Sequence, residues 1–319
     1  MTRRNRAWVV GVVGLVLLLC CSGATVVGLV ALGSAAASAG GLSGVGRTVA
    51  VIPVHGVITS GRGSDGFTSE TIAYADLVIA DIEATEADPS IRAIVLEVNS
   101  PGGGVAASAQ IFRALREVTK PTVTSMGEVA ASGGYYIACA TQRIVLLPET
   151  LTGSIGVRWE FTNAEELLNT LGIEIQVIKS GPHKDQGGWH RDLTEEEQAI
   201  YQAIVDEAYA DFVRVVAEGR DMTEEQVREL ADGRVYSGQQ ALELGLADAA
   251  GDTDAAIALA AEMAGIVGEP NVRRFERPVN PFLSLWGLAA RLGRPAEVAL
   301  VEELMAGRSP QPMYLWAVP

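Results

Sequence analysis

Cysteine and basic residues are scarce in this 319-residue sequence, and each shortage excludes a class of protein. Only three cysteines occur, and Cys20 and Cys21 lie inside an apolar N-terminal stretch, so no disulfide framework can stabilise the remaining part. Lysine and arginine total 24 against 39 acidic residues, and the formal net charge of -15 argues against nucleic acid as a partner. Hydrophobic residues make up 48% of the chain, enough for one large folded domain or two modest ones.

The N-terminal region lacks charge over a long stretch. Three arginines among the first six residues precede a sequence dominated by Val, Leu and Gly from Trp8 to Leu32. Since a helix needs about 20 apolar residues to cross a bilayer, we predict a cytoplasmic tip and transmembrane anchor over residues 1–33. The arginines place the N-terminus in the cytoplasm and the rest of the chain outside the cytoplasmic membrane.

A cleaved signal peptide is the alternative for this region, because small residues at 35–39 fit a cleavage site. The apolar stretch is longer than the roughly 7–15 residues of a signal peptide, which favours a retained single-pass anchor. Residues 34–48, rich in Ser, Ala and Gly, then form a flexible tether.

Short apolar runs rich in β-branched residues alternate with amphipathic segments after the tether. The runs predict strands over 49–54, 93–98, 122–126, 143–147 and 174–178. The other segments predict helices over 69–87, 105–118, 132–140, 163–171, 193–219, 223–231 and 238–244. Such alternation implies a parallel α/β sheet with right-handed crossovers. We assign one folded domain to residues 49–270 and a partly amphipathic extension to residues 271–319.

Three glycine-rich segments, at 99–104, 130–134 and 151–156, adjoin predicted strands. Glycines at the carboxyl ends of parallel strands let the backbone approach a ligand and point its N–H groups inward, as an oxyanion hole requires. Ser132 lies in the second segment, where two interpretations are open: its hydroxyl caps the following helix, or it is a nucleophile. A phosphate cradle is disfavoured because neither common phosphate-binding spacing occurs at these sites.

A catalytic serine needs a base, and the sequence offers few. The three histidines are His55, on the first predicted strand, and His183 and His190, in or beside a polar glycine-rich loop. The same loop holds Lys184, which can act as a base only if its pKa falls from about 10.4 to about 7–8. A solvated surface charge is the alternative for this lysine, and the residues alone do not decide between the two.

Five ordered segments resemble the signal peptide peptidase A family of bacterial serine peptidases, relatives in fold of the Clp protease proteolytic subunit and the crotonases. The segments are Asn99-Ser-Pro-Gly-Gly-Gly, Met126-Gly-Glu-Val-Ala-Ala-Ser-Gly-Gly-Tyr-Tyr, Leu151-Thr-Gly-Ser-Ile-Gly-Val, Ser180-Gly-Pro-His-Lys-Asp and Ala231-Asp-Gly-Arg-Val-Tyr-Ser-Gly-Gln-Gln-Ala. The resemblance covers nearly the whole predicted domain. It implies an α/β fold of the Clp protease and crotonase type, a parallel sheet with flanking helices.

The resemblance also implies roles for five residues and no metal or cofactor. Ser132 falls on the nucleophile, Lys184 on the general base, and Ser154 on the serine that hydrogen-bonds and orients the lysine. Gly103 and Gly133 fall on the oxyanion hole. The family cleaves peptide bonds through an acyl-enzyme, on apolar substrates such as remnant signal peptides and on unfolded or membrane proteins.

The sequence shows no internal repeat, and in this respect it resembles the short, single-domain members of the family. These form a ring of about eight subunits in which adjacent protomers contribute the serine and the lysine, an arrangement that needs heterologous contacts. Two other functions stay open for this fold. A crotonase-like acyl-CoA enzyme would reuse the glycine-rich elements, and an inactive membrane scaffold would keep the fold alone.

Overall fold

The computed structural model describes residues 46–61, 72–276 and 312–315. The transmembrane anchor expected over 1–33 lies outside these ranges, as does the tether except for its last residues. No helix within the ranges combines the length and apolar character needed to span a bilayer.

Strands and helices alternate through most of the described chain, as the sequence predicts. The strands are β1 (Thr48–His55), β2 (Val57–Thr59), β3 (Ile72–Tyr74), β4 (Ile91–Ser100), β5 (Gly102–Gly104), β6 (Thr122–Ala131), β7 (Arg143–Leu146), β8 (Leu151–Gly153), β9 (Val235–Ser237), β10 (Ala249–Ala250), β11 (Asn271–Arg274) and β12 (Met313–Leu315). The helices are α1 (Ala75–Ala87), α2 (Val105–Arg116), α3 (Gly133–Ala138), α4 (Glu165–Thr170), α5 (Glu195–Arg220), α6 (Glu224–Leu230), α7 (Gly238–Glu243) and α8 (Thr253–Met263).

The larger sheet has the strand order β10-β7-β6-β4-β1-β11, and every pair along this path is parallel. β8 extends the same sheet by pairing with the end of β6, and β9 pairs antiparallel with β8. The predicted parallel α/β architecture is therefore confirmed. A smaller sheet has the order β12-β5-β2-β3. Two strands, β11 and β12, come from the range that the sequence assigned to an extension.

Alternate residues of the central strands pack on opposite faces of the larger sheet. On β4, Ala93 and Val95 join a cluster with residues of α8, whereas Ile94 and Leu96 join the main core beneath α1, α2 and α3. All four side chains are fully buried. Strands covered by helices on both faces become continuous apolar runs, which explains why the sequence identifies β1 and β4 so readily.

Helix α5 begins at a capping box. The Glu197 N–H donates to Thr194 Oγ1 at 3.2 Å, and the Thr194 N–H donates to the Glu197 carboxylate at 3.0 Å. These two bonds satisfy N–H groups that have no partner inside the helix. The box fixes the point at which the loop before α5 joins the helix.

Two secondary-structure predictions differ from the structure. Residues 174–178 form no strand, since they pair with no described strand and their apolar side chains face solvent. The helix predicted from residue 69 begins at Ala75, because residues Ile72–Tyr74 pair with β2 as strand β3.

Candidate active site

Ser132 lies at the sharp turn between β6 and α3. After a register shift that follows Val98, Ser100 of β4 pairs with Ala130 of β6. Strand β6 therefore continues past its predicted end to Ala131, and Ser132 follows it at the carboxyl end of the strand. The backbone of Ser132 has φ 53° and ψ -116°, and its side chain makes no capping hydrogen bond. The helix-cap interpretation is therefore wrong. A residue in such a conformation costs about 1–3 kcal/mol, and a strained strand-to-helix turn is typical of a nucleophilic serine.

Ser154 lies next to Ser132 because β8 pairs with the end of β6. The Ser132 N–H donates to the Gly153 carbonyl at 2.8 Å, and the Ser154 N–H donates to the Arg234 carbonyl at 2.8 Å. Ser154 also has a positive φ, 49°, and both serine side chains line one cavity. The structure thus brings together two of the three side chains that the sequence proposed for the site.

Gly103 and Gly133 converge at the same place. A Cβ atom on Gly133 would lie 3.0 Å from the Gly103 nitrogen, and one on Gly102 would lie 2.6 Å from the Gly133 nitrogen. At Gly103 itself, a Cβ atom would lie 1.9 Å from the Ile58 carbonyl oxygen. Only glycine at positions 102 and 103 allows β5 to approach α3 and β2 so closely. Two amide nitrogens therefore lie close together beside Ser132, and an oxyanion hole is built from such neighbouring N–H donors.

The cavity beside Ser132 has a volume of about 470 Å³. Its lining includes Ser132, Ser154, Arg158, Tyr209 and Asp232. Hydrogen bonds from Arg234 lower the pKa of Asp232 to about 2. A carboxylate with so low a pKa is a poor base at neutral pH. Among the described lining residues, none is suited to take the proton of Ser132.

Lys184 does not line this cavity. Its side chain is exposed, it forms no ion pair with a described residue, and its N–H donates to the Gly181 carbonyl at 3.3 Å. The structure therefore places the predicted base on the surface of the chain, apart from the two serines.

An ionic network fixes the loop that carries Lys184. Arg191 donates to Asp185 at 3.0 Å and to Glu197 at 2.6 Å, and Lys179 donates to Asp185 at 2.7 Å. Hydrogen bonds from Arg191 lower the pKa of Glu197 to about 2, and those from Arg191 and Lys179 hold the pKa of Asp185 well below its usual range. Since Glu197 belongs to the capping box of α5, the network ties the loop to that helix.

An apolar arm precedes the lysine loop. We define the arm as residues 167–178, whose exposed large apolar side chains are Leu167, Leu171, Ile173, Ile175, Val177 and Ile178. Ile178 is fully exposed at 102%. Six exposed large apolar side chains within twelve consecutive residues are typical of an interaction site.

Sequence reasoning missed three elements of the site. Asp232 and Arg234 belong to the fifth of the ordered motif segments, but the sequence does not indicate that this segment contacts the cavity. The strand Met313–Leu315 is too short for a periodic signal. Tyr209 lies on α5, and a single aromatic position in a long charged helix carries no functional signal by itself.

Comparison with known proteins agrees with this geometry. The description of peptidase family S49 matches residues 114–267, and that of Clp protease matches residues 68–152. A Synechocystis protein named as a candidate protease, slr0021, is 45% identical over 222 residues, which are 69% of this chain and 76% of that protein. A protein of Enterococcus faecium named as a candidate signal peptide peptidase SppA is 35% identical over 283 residues, 85% of this chain and 81% of that protein. Protease 4 of Salmonella typhi is 39% identical over 222 residues, but these are only 35% of its length.

A mostly parallel sheet that presents a strained serine beside two converging amides defines a serine hydrolase of the Clp protease-like class. The sequence relatives narrow this class. The chain belongs to peptidase family S49, which confirms the resemblance to the signal peptide peptidase A family, and it is a serine-type peptidase.

Proposed function

We propose that the chain cleaves apolar peptides, remnant signal peptides among them, with Ser132 as nucleophile and Lys184 as general base supplied by a neighbouring copy. The observation that carries the proposal is the site at Ser132: a strained serine next to two glycine amides lines a cavity whose described lining residues include no base suited to it. The names of the relatives, which include a signal peptide peptidase, support the substrate class.

The proposed reaction has two halves. Ser132 Oγ attacks the carbonyl carbon of the substrate while neutral Lys184 takes the hydroxyl proton, and the N–H groups of Gly103 and Gly133 stabilise the oxyanion. The C–N bond then breaks, Lys184 returns the proton to the leaving amine, and an ester to Ser132 remains. Water, deprotonated by Lys184, then attacks the ester; the bond from the acyl carbon to Ser132 Oγ breaks, the acid leaves, and Lys184 returns the proton to Ser132 Oγ. Ser154 orients the lysine amine between these steps.

Burial at an interface would supply the pKa shift that the lysine needs. A solvated ammonium has a pKa of about 10.4, whereas a base active at neutral pH needs about 7–8, and removal from water lowers the pKa of a lysine. The exposed arm beside Lys184 supports docking onto a second copy, which would carry the lysine toward that copy's Ser132. Such heterologous contacts close into a ring, of about eight subunits by family resemblance.

We further propose that the domain lies outside the cytoplasmic membrane, held by an anchor in residues 1–33. The apolar stretch from Trp8 to Leu32 supports the anchor, and the preceding arginines support a cytoplasmic N-terminus. A membrane-bound enzyme would meet signal peptides and damaged membrane proteins where they are released.

Mixing two inactive variants tests the shared site. Ser132→Ala and Lys184→Ala chains are each expected to be inactive on a fluorogenic apolar peptide. When the two are unfolded, mixed in equal amounts and refolded together, about a quarter of the sites regain both groups if neighbours share each site. Refolding each variant alone is the matched control.

Three outcomes would contradict this proposal. Full proteolysis by either single variant would overturn the Ser-Lys mechanism. No recovery on mixing, in samples whose sedimentation shows mixed assemblies, would place both groups in one chain. A serine-reactive probe that labels wild type and Ser132→Ala equally would exclude Ser132 as the nucleophile.

A further inference from the structure

Asp232 is the only acidic residue among the described residues that line the cavity beside Ser132. It shares the wall of this cavity with Ser132 and Ser154. In the proposed reaction, the amine of Lys184 from a neighbouring copy enters the cavity and must be neutral to accept the hydroxyl proton. A nearby negative charge favours the ammonium form of a lysine. An uncompensated carboxylate at this place would therefore keep the proposed base protonated.

Arg234 compensates the charge of Asp232. Its Nε donates to both carboxylate oxygens at 2.8 Å, and its Nη2 also donates to Oδ2. The backbone N–H of Arg234 adds a hydrogen bond to Oδ1 at 3.1 Å. Pairing of a guanidinium with both oxygens of a carboxylate fixes the two groups relative to each other. Hydrogen bonds from Arg234 lower the pKa of Asp232 to about 2, so the carboxylate stays ionised at neutral pH and its charge is balanced by the paired guanidinium.

The turn that carries this pair is fixed to the segment that carries Ser154. Strand β9, which follows Arg234, pairs antiparallel with β8. The Ser154 N–H donates to the Arg234 carbonyl at 2.8 Å, and the Gly233 N–H donates to the Ile155 carbonyl at 3.1 Å. The turn needs a positive φ of 88° at Gly233, which glycine adopts without strain. The pair of Asp232 and Arg234 therefore has a fixed place relative to the two serines.

Charged groups around the cavity and on the lysine loop also have partners of opposite sign. The described pairs are Arg158 with Glu160 at 2.8 Å, Arg228 with Glu224 at 3.1 Å, Asp185 with Lys179 at 2.7 Å and with Arg191 at 3.0 Å, and His183, when protonated, with Glu196 at 3.6 Å. Two phenols beside the cavity, Tyr209 and Tyr236, donate to backbone carbonyls. The described wall of the cavity thus carries one cation, Arg158, and one anion, Asp232, and each is compensated by its own partner.

We propose that Arg234 is a positioning residue of the peptidase, which compensates the charge of Asp232 and thereby lets the lysine amine lie beside Ser132 in its neutral form. The inference rests on the proposed function, since it concerns the general base of that same site. Arg234 is not among the described residues that line the cavity, and it acts through Asp232. The competing interpretation makes the pair an ordinary surface link that only stabilises the turn before β9.

The two halves of the pair predict opposite effects on the pH–rate profile. Arg234→Gln keeps a hydrogen-bond donor but removes the positive charge, so the ammonium form of the base is favoured and the acidic limb moves to higher pH. Asp232→Asn leaves the guanidinium uncompensated, so the limb moves to lower pH. Each shift should be about 0.5–1 pH unit, because the pair is partly exposed. On the limb itself, kcat/KM should fall about threefold to tenfold in Arg234→Gln and rise by a similar factor in Asp232→Asn.

The full chain in detergent is assayed with one uncharged fluorogenic apolar peptide that is blocked at both ends. The midpoint of the acidic limb of kcat/KM is compared among wild type, the two single variants and the double variant Asp232→Asn/Arg234→Gln. This midpoint does not depend on how much of the protein is folded, so a loss of stability does not obscure it. The double variant should return near the wild-type midpoint, and Arg234→Lys, which keeps the charge, should stay near it. High salt should reduce both shifts, since partly exposed charges are screened.

Arg273→Gln is the matched control. It removes an arginine from another exposed ion pair, with Asp88 at 3.0 Å, and its strand β11 is separated from β6 by β4 and β1 in the larger sheet. Its midpoint should equal that of wild type. The proposal would be overturned by an unshifted midpoint in Arg234→Gln, or by shifts of the same sign in the two single variants. A shift in Arg273→Gln as large as that in Arg234→Gln would also overturn it, because the midpoint would then report only the net charge of the protein.

Failure of this inference differs from failure of the proposed function. If Lys184→Ala cleaves the peptide as fast as wild type, the Ser-Lys mechanism itself fails. If cleavage requires Lys184 but the midpoints of wild type, Arg234→Gln and Asp232→Asn coincide, only the role of Arg234 is overturned.

Discussion

Replacement of Gly133 by alanine tests the oxyanion hole without removing a catalytic side chain. Gly133 is the first residue of α3, and alanine at a helical position is favoured over glycine by about 0.5–1 kcal/mol. The new methyl group would lie 2.7 Å from Ser108 Oγ and 3.0 Å from the Gly103 nitrogen. The contact with Ser108 Oγ affects the stability of the fold, whereas the contact with the Gly103 nitrogen affects the proposed oxyanion hole.

The expected magnitudes differ between stability and rate. Ser108 Oγ is buried and has no hydrogen-bond partner among the described residues, so it can turn away from the methyl group at little cost. The free energy of unfolding should therefore change by no more than about 1 kcal/mol. In the proposed oxyanion hole, the methyl group would fill the space between Gly133 and the Gly103 nitrogen, where the oxyanion would bind. Loss of one such donor interaction costs about 3 kcal/mol, a decrease in kcat of about a hundredfold to a thousandfold.

The assay measures kcat and KM on one fluorogenic apolar peptide, together with thermal unfolding of the same preparation. Ser108→Ala is the control, because it removes the contacted hydroxyl and adds nothing near Gly103. It should keep the wild-type kcat. A Gly133→Ala chain that unfolds like wild type and also turns over like wild type would refute the placement of the hole at these two glycines.

Three further predictions concern the arm, the ionic network and the half-buried carboxylate of Glu97. Ile178→Asp should shift sedimentation toward monomer and reduce activity, because it places a charge on the apolar arm. Val267→Asp, at another exposed position, is the control and should leave assembly intact. Equal assembly of the two variants would exclude the arm as the interface. Arg191→Ala should lower kcat with little change in KM, because the loop that carries the proposed general base loses its ion pair to Glu197 on α5. An unchanged kcat would show that the network does not position the loop. A hydrogen bond from His55 lowers the pKa of Glu97. Wild type should therefore be more stable than Glu97→Gln above about pH 4.5, and this difference in the free energy of unfolding should vanish as the pH falls through the lowered pKa. A difference that does not change with pH would contradict this.

The sequence predicts the central sheet well because its strands are buried on both faces. Continuous apolar runs such as the one in β4 have few other interpretations in a chain with charged helices between them. The prediction over residues 174–178 was wrong for the opposite reason. A β-branched apolar run indicates that its side chains avoid water, but it does not say whether the covering surface belongs to the same chain.

The candidate site could be predicted in part. Ordered glycine-rich motifs single out Ser132, Ser154, Gly103 and Gly133, and the fold brings these four residues together. The roles given to them stay predictions. The strain at Ser132 could not be foreseen, because a positive φ at serine is imposed by tertiary contacts rather than by local preference.

Tyr136 and Phe212 belong to the main hydrophobic core as well as to the pocket that holds Tyr314. Tyr314 itself belongs to that core, so the three-residue strand β12 completes the packing of helices that lie far from it in sequence. Removal of its ring by Tyr314→Ala should therefore lower the melting temperature of the whole domain, although β12 is one of the shortest strands of the fold.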